Sequence, residues 1–463
     1  MSIQGARKTI AIIGGGPAGL AALKTVLDTD EFKAGLWHPT VFEAREKVGG
    51  VWLPAEPVDN PPLTPLYDSL TTNLPHPVMA FTSLSFPPET PLFPKAKAVE
   101  DYLLYYAHHF GLNTHIQLNT SVEQAVWTSP VWRVSLSTGR TLDFDWVIVC
   151  NGHYRKPRYP VIPGLDDWVV RNKASHSAWY RRPHELGSTV MVVGAGPSGQ
   201  DISAEMCEAA DSVIHSTIGT PASEDGKLKR RGRPIEFHPD GSVLFEGDII
   251  EKGIDHCILA TGYEVEFPFL SSDILRSTLP PPIPPLPTEA FNSSYHVFPL
   301  AKHIFPLQAR YPPESLTFLG LLVRVAPFPI LEAQALAVVQ AYRTPLDVEA
   351  EAKDILVRYQ LLTKASDAAH PKLDIARNWH KFEGEEQFDY RDETYRWAGG
   401  SIVVPDWEKE MYEEKGILRQ TWVELEKSGE AAGWVKGVGK NGDHEWVDLL
   451  KRLLAYAKSK AAA

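Results

Sequence analysis

Lys8-Thr9-Ile10-Ala11-Ile12-Ile13-Gly14-Gly15-Gly16-Pro17-Ala18-Gly19 is the stretch on which the fold turns. Residues 8–13 read as a buried strand that runs into G-x-G-x-x-G, and residues 18–28 carry apolar side chains at helical spacing. In such a strand–turn–helix each glycine has a task. Gly14 permits the tight turn, Gly16 lets the backbone approach a pyrophosphate, and Gly19 lets helix and strand pack closely. The helix start at Pro17-Ala18 then offers free N–H groups and the positive end of its dipole to a diphosphate. A second strand, 40–43, ends at Glu43, whose carboxylate can accept hydrogen bonds from ribose hydroxyls.

The pattern recurs downstream. Residues 188–193 form a second apolar strand entering Gly194-Ala195-Gly196-Pro197-Ser198-Gly199, with a helix from about Gln200. Such internal duplication implies two dinucleotide folds in one chain. The strand after this motif, 212–217, ends in His215-Ser216-Thr217 and has no carboxylate. A carboxylate there would repel a ribose 2′-phosphate, whereas hydroxyls and cations accept one. Ser216 and Thr217 are therefore the candidate contacts, and NADPH is the expected nucleotide. The basic run Lys227, Lys229, Arg230, Arg231 and Arg233 reads either as further phosphate contacts or as a solvated loop. The first motif, with Glu43, suits FAD. Two unlike nucleotide sites imply hydride transfer from nicotinamide to flavin.

The 463 residues suffice for two or three domains. With 43% apolar and 22% charged residues the chain is not a disordered one, and its net charge of −12 argues against nucleic-acid binding. No apolar run approaches the ~18 residues of a membrane span, and the opening residues are too short for a signal-peptide core. No membrane partner and a cytoplasmic location are the expectations. Three cysteines, Cys150, Cys207 and Cys257, stand far apart. They offer no CxxC, no metal site and no dithiol for a flavin disulfide reductase.

The expected fold class is α/β, with two Rossmann-like domains, one inserted in the other, and a mostly helical C-terminal subdomain. A first FAD-binding part spans 1–160, an inserted NADPH-binding domain 161–267, a second FAD-binding part 268–345, and a helical covering segment 346–463. Residues 54–94 read as a proline-rich ordered loop, 97–110 as a helix, and 115–118, 122–127, 131–136 and 141–149 as strands. A helix is expected from Pro329 to Tyr342.

Further motifs carry a resemblance. Glu43-Ala-Arg-Glu-Lys-Val-Gly49-Gly50-Val51-Trp52, Tyr67-Asp-Ser-Leu-Thr-Thr-Asn73-Leu-Pro, Ala260-Thr261-Gly262-Tyr263, Lys302-His303-Ile304-Phe305, Pro327-Phe328-Pro329-x-x-Glu332-Ala333-Gln334 and Trp379-His380 through Tyr390 follow in order along the chain. Together they resemble the flavin-containing monooxygenases, class B flavoprotein monooxygenases. The family signature F-x-G-x-x-x-H-x-x-x-[YF] is half present. His176-Ser-Ala-Trp179-Tyr180 supplies its second half, while Val170 and Asn172 stand where the aromatic and glycine belong. Gly164-Leu-Asp-Asp-Trp168 suggests a local insertion there.

The resemblance implies that NADPH reduces FAD, dioxygen adds at flavin C4a, and the hydroperoxide oxygenates a nucleophilic nitrogen or sulfur of a small organic substrate, such as a secondary metabolite. It implies that Asn73 is the catalytic residue, contacting nucleotide and oxygen-charged flavin; a neutral amide can donate a hydrogen bond to a peroxide without protonating it. It adds Gly50, Val51, Trp52, Thr261, Gly262, Tyr263 and Gln334 as cofactor contacts, with a turn role equally open for 261–263. Tyr180-Arg181 favours heteroatom oxygenation over Baeyer–Villiger oxidation of a ketone, which stays the alternative. A dinucleotide-binding scaffold or redox sensor is the non-enzyme alternative. His176 and Tyr180 read as organisers of the domain junction, and Arg324 as a surface salt bridge or a substrate contact. A homodimer is an open expectation.

Overall fold

The computed structural model describes residues 6–366 and 369–462; residues 1–5, 367–368 and 463, which the expected domain spans include, lie outside it. The described residues form two compact units, one from 6–53, 71–152, 265–366 and 369–462, the other from 54–70 and 153–264.

The first unit is built on a five-stranded parallel sheet. Its spatial order is Leu316–Phe318, Trp146–Val149, Lys8–Ile13, Trp37–Phe42, Ile116–Gln117. Counted along the chain this is 5-4-1-2-3, the doubly wound order that reverses beside its first strand and so opens a ligand crevice there. Ile10 and Ile12 on that strand are fully buried, as are Leu20 and Leu23 on helix Pro17–Leu27. The helix begins at Pro17, whose missing N–H costs nothing at the first helical position.

Two expectations change. The second strand starts at Trp37, not Thr40, because it pairs with the whole length of the first. The single strand expected over 141–149 is two: Thr141–Phe144 in an antiparallel sheet with Val122–Trp127 and Trp132–Leu136, and Trp146–Val149 in the parallel sheet. The break is Asp145. Its carboxylate accepts from the Thr9 N–H at 2.8 Å and pairs with Lys8 at 2.7 Å.

The loop expected over 54–94 contains a short helix, His76–Met79. The helix expected from Pro329 starts at Pro327 and runs to Arg343. The C-terminal segment is helical, and its Trp422, Leu425, Trp446, Leu449 and Leu453 share one hydrophobic core with Ile10, Leu20 and Val78. No helix among the described residues is long and apolar enough to cross a membrane.

The second unit repeats the plan. Its sheet runs Ser223–Asp225, Leu228–Arg231, Ser212–Ser216, Thr189–Val193, His256–Leu259, Ala174–His176, parallel except at the first pair. Its helix, Pro197–Met206, also begins at the proline rather than at Gln200. Residues 54–70 belong to this unit, not to the first. The Tyr67 hydroxyl donates to Asp201 at 2.6 Å and the Asp68 N–H to the Arg181 carbonyl at 2.7 Å. Arg181 in turn donates to the carbonyls of Ala55 and Thr64.

The half-present signature begins at the end of a short helix. Helix Leu165–Val170 ends with Asn172 at φ +56°, its N–H on the Val169 carbonyl, and the Lys173 N–H on the Trp168 carbonyl. This is the left-handed helix termination that glycine usually provides and asparagine can. Asn172 thus stands in the glycine's place, and Val170, where the aromatic belongs, is exposed.

Candidate functional site

In the first unit the glycine turn is fixed by backbone contact. Gly14 has φ +106°, and a Cβ there would lie 2.5 Å from the Cys150 carbonyl oxygen; one on Gly19 would lie 1.9 Å from the Gly14 oxygen. The Gly14 N–H donates to the Phe42 carbonyl at 2.9 Å and the Cys150 N–H to the Ile13 carbonyl at 2.8 Å. The second unit repeats these contacts at Gly194, Ala260, Gly199, Ser216 and Val193. Gly194 has φ +142°, Cβ atoms on Gly194 and Gly199 would lie 2.2 and 2.1 Å from carbonyl oxygens, and the two turn hydrogen bonds measure 3.0 and 2.8 Å. Gly16 and Gly196 are the N-caps, neither with a side-chain cap, so first-turn N–H groups point outward for an anion. A Cβ on Gly196 would meet nothing within 4 Å.

Gly50, Val51 and Trp52 form a short 3₁₀ turn against the first cradle. A Cβ on Gly50 would lie 2.9 Å from the Gly16 Cα, and the Gly49 N–H donates to the Gly15 carbonyl at 3.1 Å. Glu43 is buried. One carboxylate oxygen accepts from the Gly15 N–H at 2.6 Å, the other from the Arg45 N–H at 2.8 Å. Burial pushes its carboxyl above the ordinary value against the pull of those two donors. Glu43 therefore holds the turn together, with lone pairs left over for ribose.

In the second unit Ser216 does not match its expected role. It is fully buried, and its hydroxyl donates to the Gly232 carbonyl at 2.7 Å. Thr217, one residue further, is partly exposed, and its hydroxyl bonds that of Thr220. Ser198 is partly exposed, and its hydroxyl makes no hydrogen bond among the described residues. The basic run is a strand for most of its length, not a loop. Lys229 and Arg231 pair with Glu251, Arg233 with Glu246, and Lys227 donates to the Cys207 and Ala210 carbonyls. Arg230 is exposed and its side chain makes no ion pair or hydrogen bond among the described residues. It is in register with His215, so the two side chains share one face of the sheet. His215 Nε2 lies 2.8 Å from the Gly194 carbonyl, which places that face on the side of the glycine turn.

Thr261, Gly262 and Gln334 are engaged inside the fold. The Thr261 hydroxyl donates to the Arg158 carbonyl at 2.6 Å. The Gly262 carbonyl accepts from the Arg158 N–H and lies 3.0 Å from His176 Nε2. The Ala178 N–H donates to His176 Nδ1, so the imidazole is neutral with its proton on Nε2, and burial lowers its pKa to about 4. His176 is a turn anchor, not an acid or base. The segment is a strand end and a 3₁₀ turn, so His176 and Tyr180 do not share a helical face. Tyr180 donates to Glu205 at 2.7 Å. Tyr263 packs its ring on His176, and burial pushes its phenol up to about 12. Gln334 is fully buried, accepting from the Gly320 N–H at 3.0 Å and donating to the Tyr390 hydroxyl at 3.2 Å. Its side chain exposes no surface; it holds Gly320, where a Cβ would stand 3.7 Å from that of Ala18. Arg324 pairs with Glu383 at the surface.

Asn73 is exposed on a pinned turn in the first unit, and its amide makes no hydrogen bond among the described residues. The Thr72 N–H donates to the Pro94 carbonyl at 3.0 Å, the Thr72 hydroxyl to Leu74 at 2.8 Å, and the His76 N–H to Leu92 at 2.8 Å. Sequence reasoning missed Asp145, Gly320 and Arg419, whose neighbours Thr9, Ala18 and Thr72 are remote in the chain.

A glycine cradle in each unit, the first beside the Glu43 carboxylate and the second beside the Thr217 hydroxyl and the exposed Arg230, is the arrangement of an oxidoreductase that uses two dinucleotides. A family profile described as flavin-binding monooxygenase-like matches residues 7–222. Arabidopsis thaliana flavin-containing monooxygenase FMO GS-OX-like 7 is 33% identical over 76% of this chain and 77% of its own. The thiol-specific monooxygenase of Saccharomyces cerevisiae is 31% identical over 74% and 78%. The structure of S-allyl-L-cysteine S-oxygenase from Allium sativum superposes with a TM-score of 0.75 at 27% identity, covering 99% of both chains. The chain belongs to the flavin-containing monooxygenases, and its cofactors are FAD and NADPH.

Proposed function

We propose that this enzyme oxygenates a nucleophilic sulfur or nitrogen of a small organic molecule, with FAD in the Gly14–Gly19 cradle and NADPH in the Gly194–Gly199 cradle. The contrast between the two cradles carries the reading. Glu43 beside the first suits ribose hydroxyls and repels a 2′-phosphate; Thr217 and Arg230 beside the second suit the phosphate. The sulfur-oxygenating and thiol-specific names of two similar proteins favour a soft nucleophile.

FAD, when bound, would supply an electrophilic oxygen drawn from dioxygen at the expense of NADPH. The chain does the rest. The uncapped helix starts at Pro17 and Pro197 would hold the two diphosphates. Gly50 through Trp52 close over Gly16. Asn73 offers an uncommitted amide that can donate a hydrogen bond yet cannot acidify what it touches. No side-chain nucleophile is required.

The test is turnover with NADPH and ¹⁸O-labelled dioxygen on S-allyl-L-cysteine, a tertiary amine and a cyclic ketone. Labelled sulfoxide or amine oxide is the expected result. Labelled ester from the ketone alone would replace this reading with Baeyer–Villiger oxidation. NADPH consumption with label in no product would refute both.

A further inference from the structure

We infer that Arg419, on the C-terminal helix Lys415–Ser428, is a positioning residue for Asn73; the inference rests on the proposed role of that asparagine. The sequence reading made 346–463 a covering segment. Its helix is anchored in the core by fully or nearly fully buried Leu418, Trp422 and Leu425. From that anchored face Arg419 Nη1 donates to the Thr72 carbonyl at 2.6 Å.

That carbonyl belongs to the peptide joining Thr72 to Asn73. Peptide planarity places the Thr72 C=O and the Asn73 N–H on one rigid plate, so the plate's tilt sets the direction in which Asn73 projects. Among the described residues the Thr72 carbonyl accepts from no group but Arg419, and the Asn73 N–H donates to none. The surrounding bonds, Thr72 N–H to Pro94 and Thr72 hydroxyl to Leu74, fix the flanking backbone and leave this plate to Arg419. Thr72 is buried, so without Arg419 its carbonyl would turn to find another donor. A charge-assisted hydrogen bond is the strong kind suited to stop that rotation. The C-terminal helices thus aim Asn73 as well as complete the core.

Misaiming Asn73 has a definite chemical signature. In coupled turnover NADPH, a proton, dioxygen and a thioether give NADP⁺, water and a sulfoxide. In the leak, NADPH, a proton and dioxygen give NADP⁺ and hydrogen peroxide. The experiment measures hydrogen peroxide per NADPH consumed by the FAD-loaded full chain, with methyl phenyl sulfide as probe, together with FAD content and Tm. It compares wild type, Asn73→Ala, Arg419→Met, Arg419→Lys and Asn73→Ala/Arg419→Met. The expected result is a peroxide fraction raised about fivefold or more in Arg419→Met. Lysine should partly rescue it, and the methionine change should add nothing to Asn73→Ala. If Arg419→Met loses FAD or Tm, Arg419→Lys carries the comparison, since it keeps stem and charge and lacks only the fork. An Arg419 variant as tightly coupled as wild type beside a leaking Asn73→Ala overturns the inference alone. So do effects that add in the double variant. A tightly coupled Asn73→Ala overturns the Asn73 reading itself.

Discussion

Gly199→Ala isolates one cradle from the other. The added Cβ would stand 2.1 Å from the Gly194 carbonyl oxygen, and an ordinary contact of 3.4 Å needs about 1.3 Å more. The Gly194 carbonyl cannot simply rotate away, because His215 Nε2 lies 2.8 Å from it and the Gly194 N–H is bound to the Ser216 carbonyl. The start of helix Pro197–Met206 must therefore move outward by roughly that distance, at an overpacking cost of about 1–3 kcal/mol. The displaced N–H groups are those that would face the diphosphate, where a charge-assisted hydrogen bond contributes about 1.5–3 kcal/mol. Loss of one such bond predicts a 10- to 100-fold rise in the NADPH Kd, about 1.4–2.8 kcal/mol. Anaerobic stopped-flow reduction across a range of NADPH concentrations separates Kd from the limiting rate. FAD content should stay at the wild-type level, because the affected turn lies in the other unit. The companion Gly19→Ala, with its Cβ 1.9 Å from the Gly14 oxygen, should instead yield protein depleted of FAD. Unchanged NADPH affinity in Gly199→Ala, or loss of FAD in its place, would refute the assignment of the two cradles.

Arg230→Ala should raise the KM for NADPH about tenfold and leave that for NADH unmoved; steady-state rates with both nucleotides check this, and equal losses would remove Arg230 from the 2′-phosphate site. Glu408→Gln leaves the buried Arg391 guanidinium uncompensated and should destabilise the protein by about 3–5 kcal/mol, read as a fall in Tm, with little change expected if the pair were solvated. Acid should also destabilise it. Burial lowers the pKa of His76 and His296 to about 3, His176 to about 4, and His303 far below its ordinary value. Above pH 6.5 folded and unfolded chains bind these protons alike. Below it only the unfolded chain takes them up, so stability falls from about pH 6.5 toward 4, by up to ~1.4 kcal/mol per pH unit for each histidine. Tm should be level above pH 7 and drop below 6, less steeply in His76→Phe; a level Tm down to pH 5 contradicts the neutral, buried state.

What was legible in the sequence follows from where each constraint resides. The two cradles were legible because their requirement is local. Gly14 and Gly194 need a positive φ, and Gly19 and Gly199 need a missing Cβ against an oxygen only five residues away. Asn172 was half legible, since its left-handed turn is one asparagine can adopt and the counting had already placed it on the glycine position. Ser216 and Gln334 misled for the opposite reason. Their positions in the motifs were right, but the Gly232 carbonyl and the Tyr390 hydroxyl already occupy their polar groups, and neither partner is visible from a tetrapeptide. Asp145 and Arg419 are further cases. A carboxylate that ends one strand and starts another, and a guanidinium that holds a carbonyl 347 positions away in the chain, are defined only once the sheet and core have formed. Short motifs therefore record which nucleotides the frame can hold. On the proposed role of Asn73, its aim toward them would depend on long-range bonds such as the one from Arg419, and variation in the C-terminal helices would then alter coupling while every glycine motif stays intact.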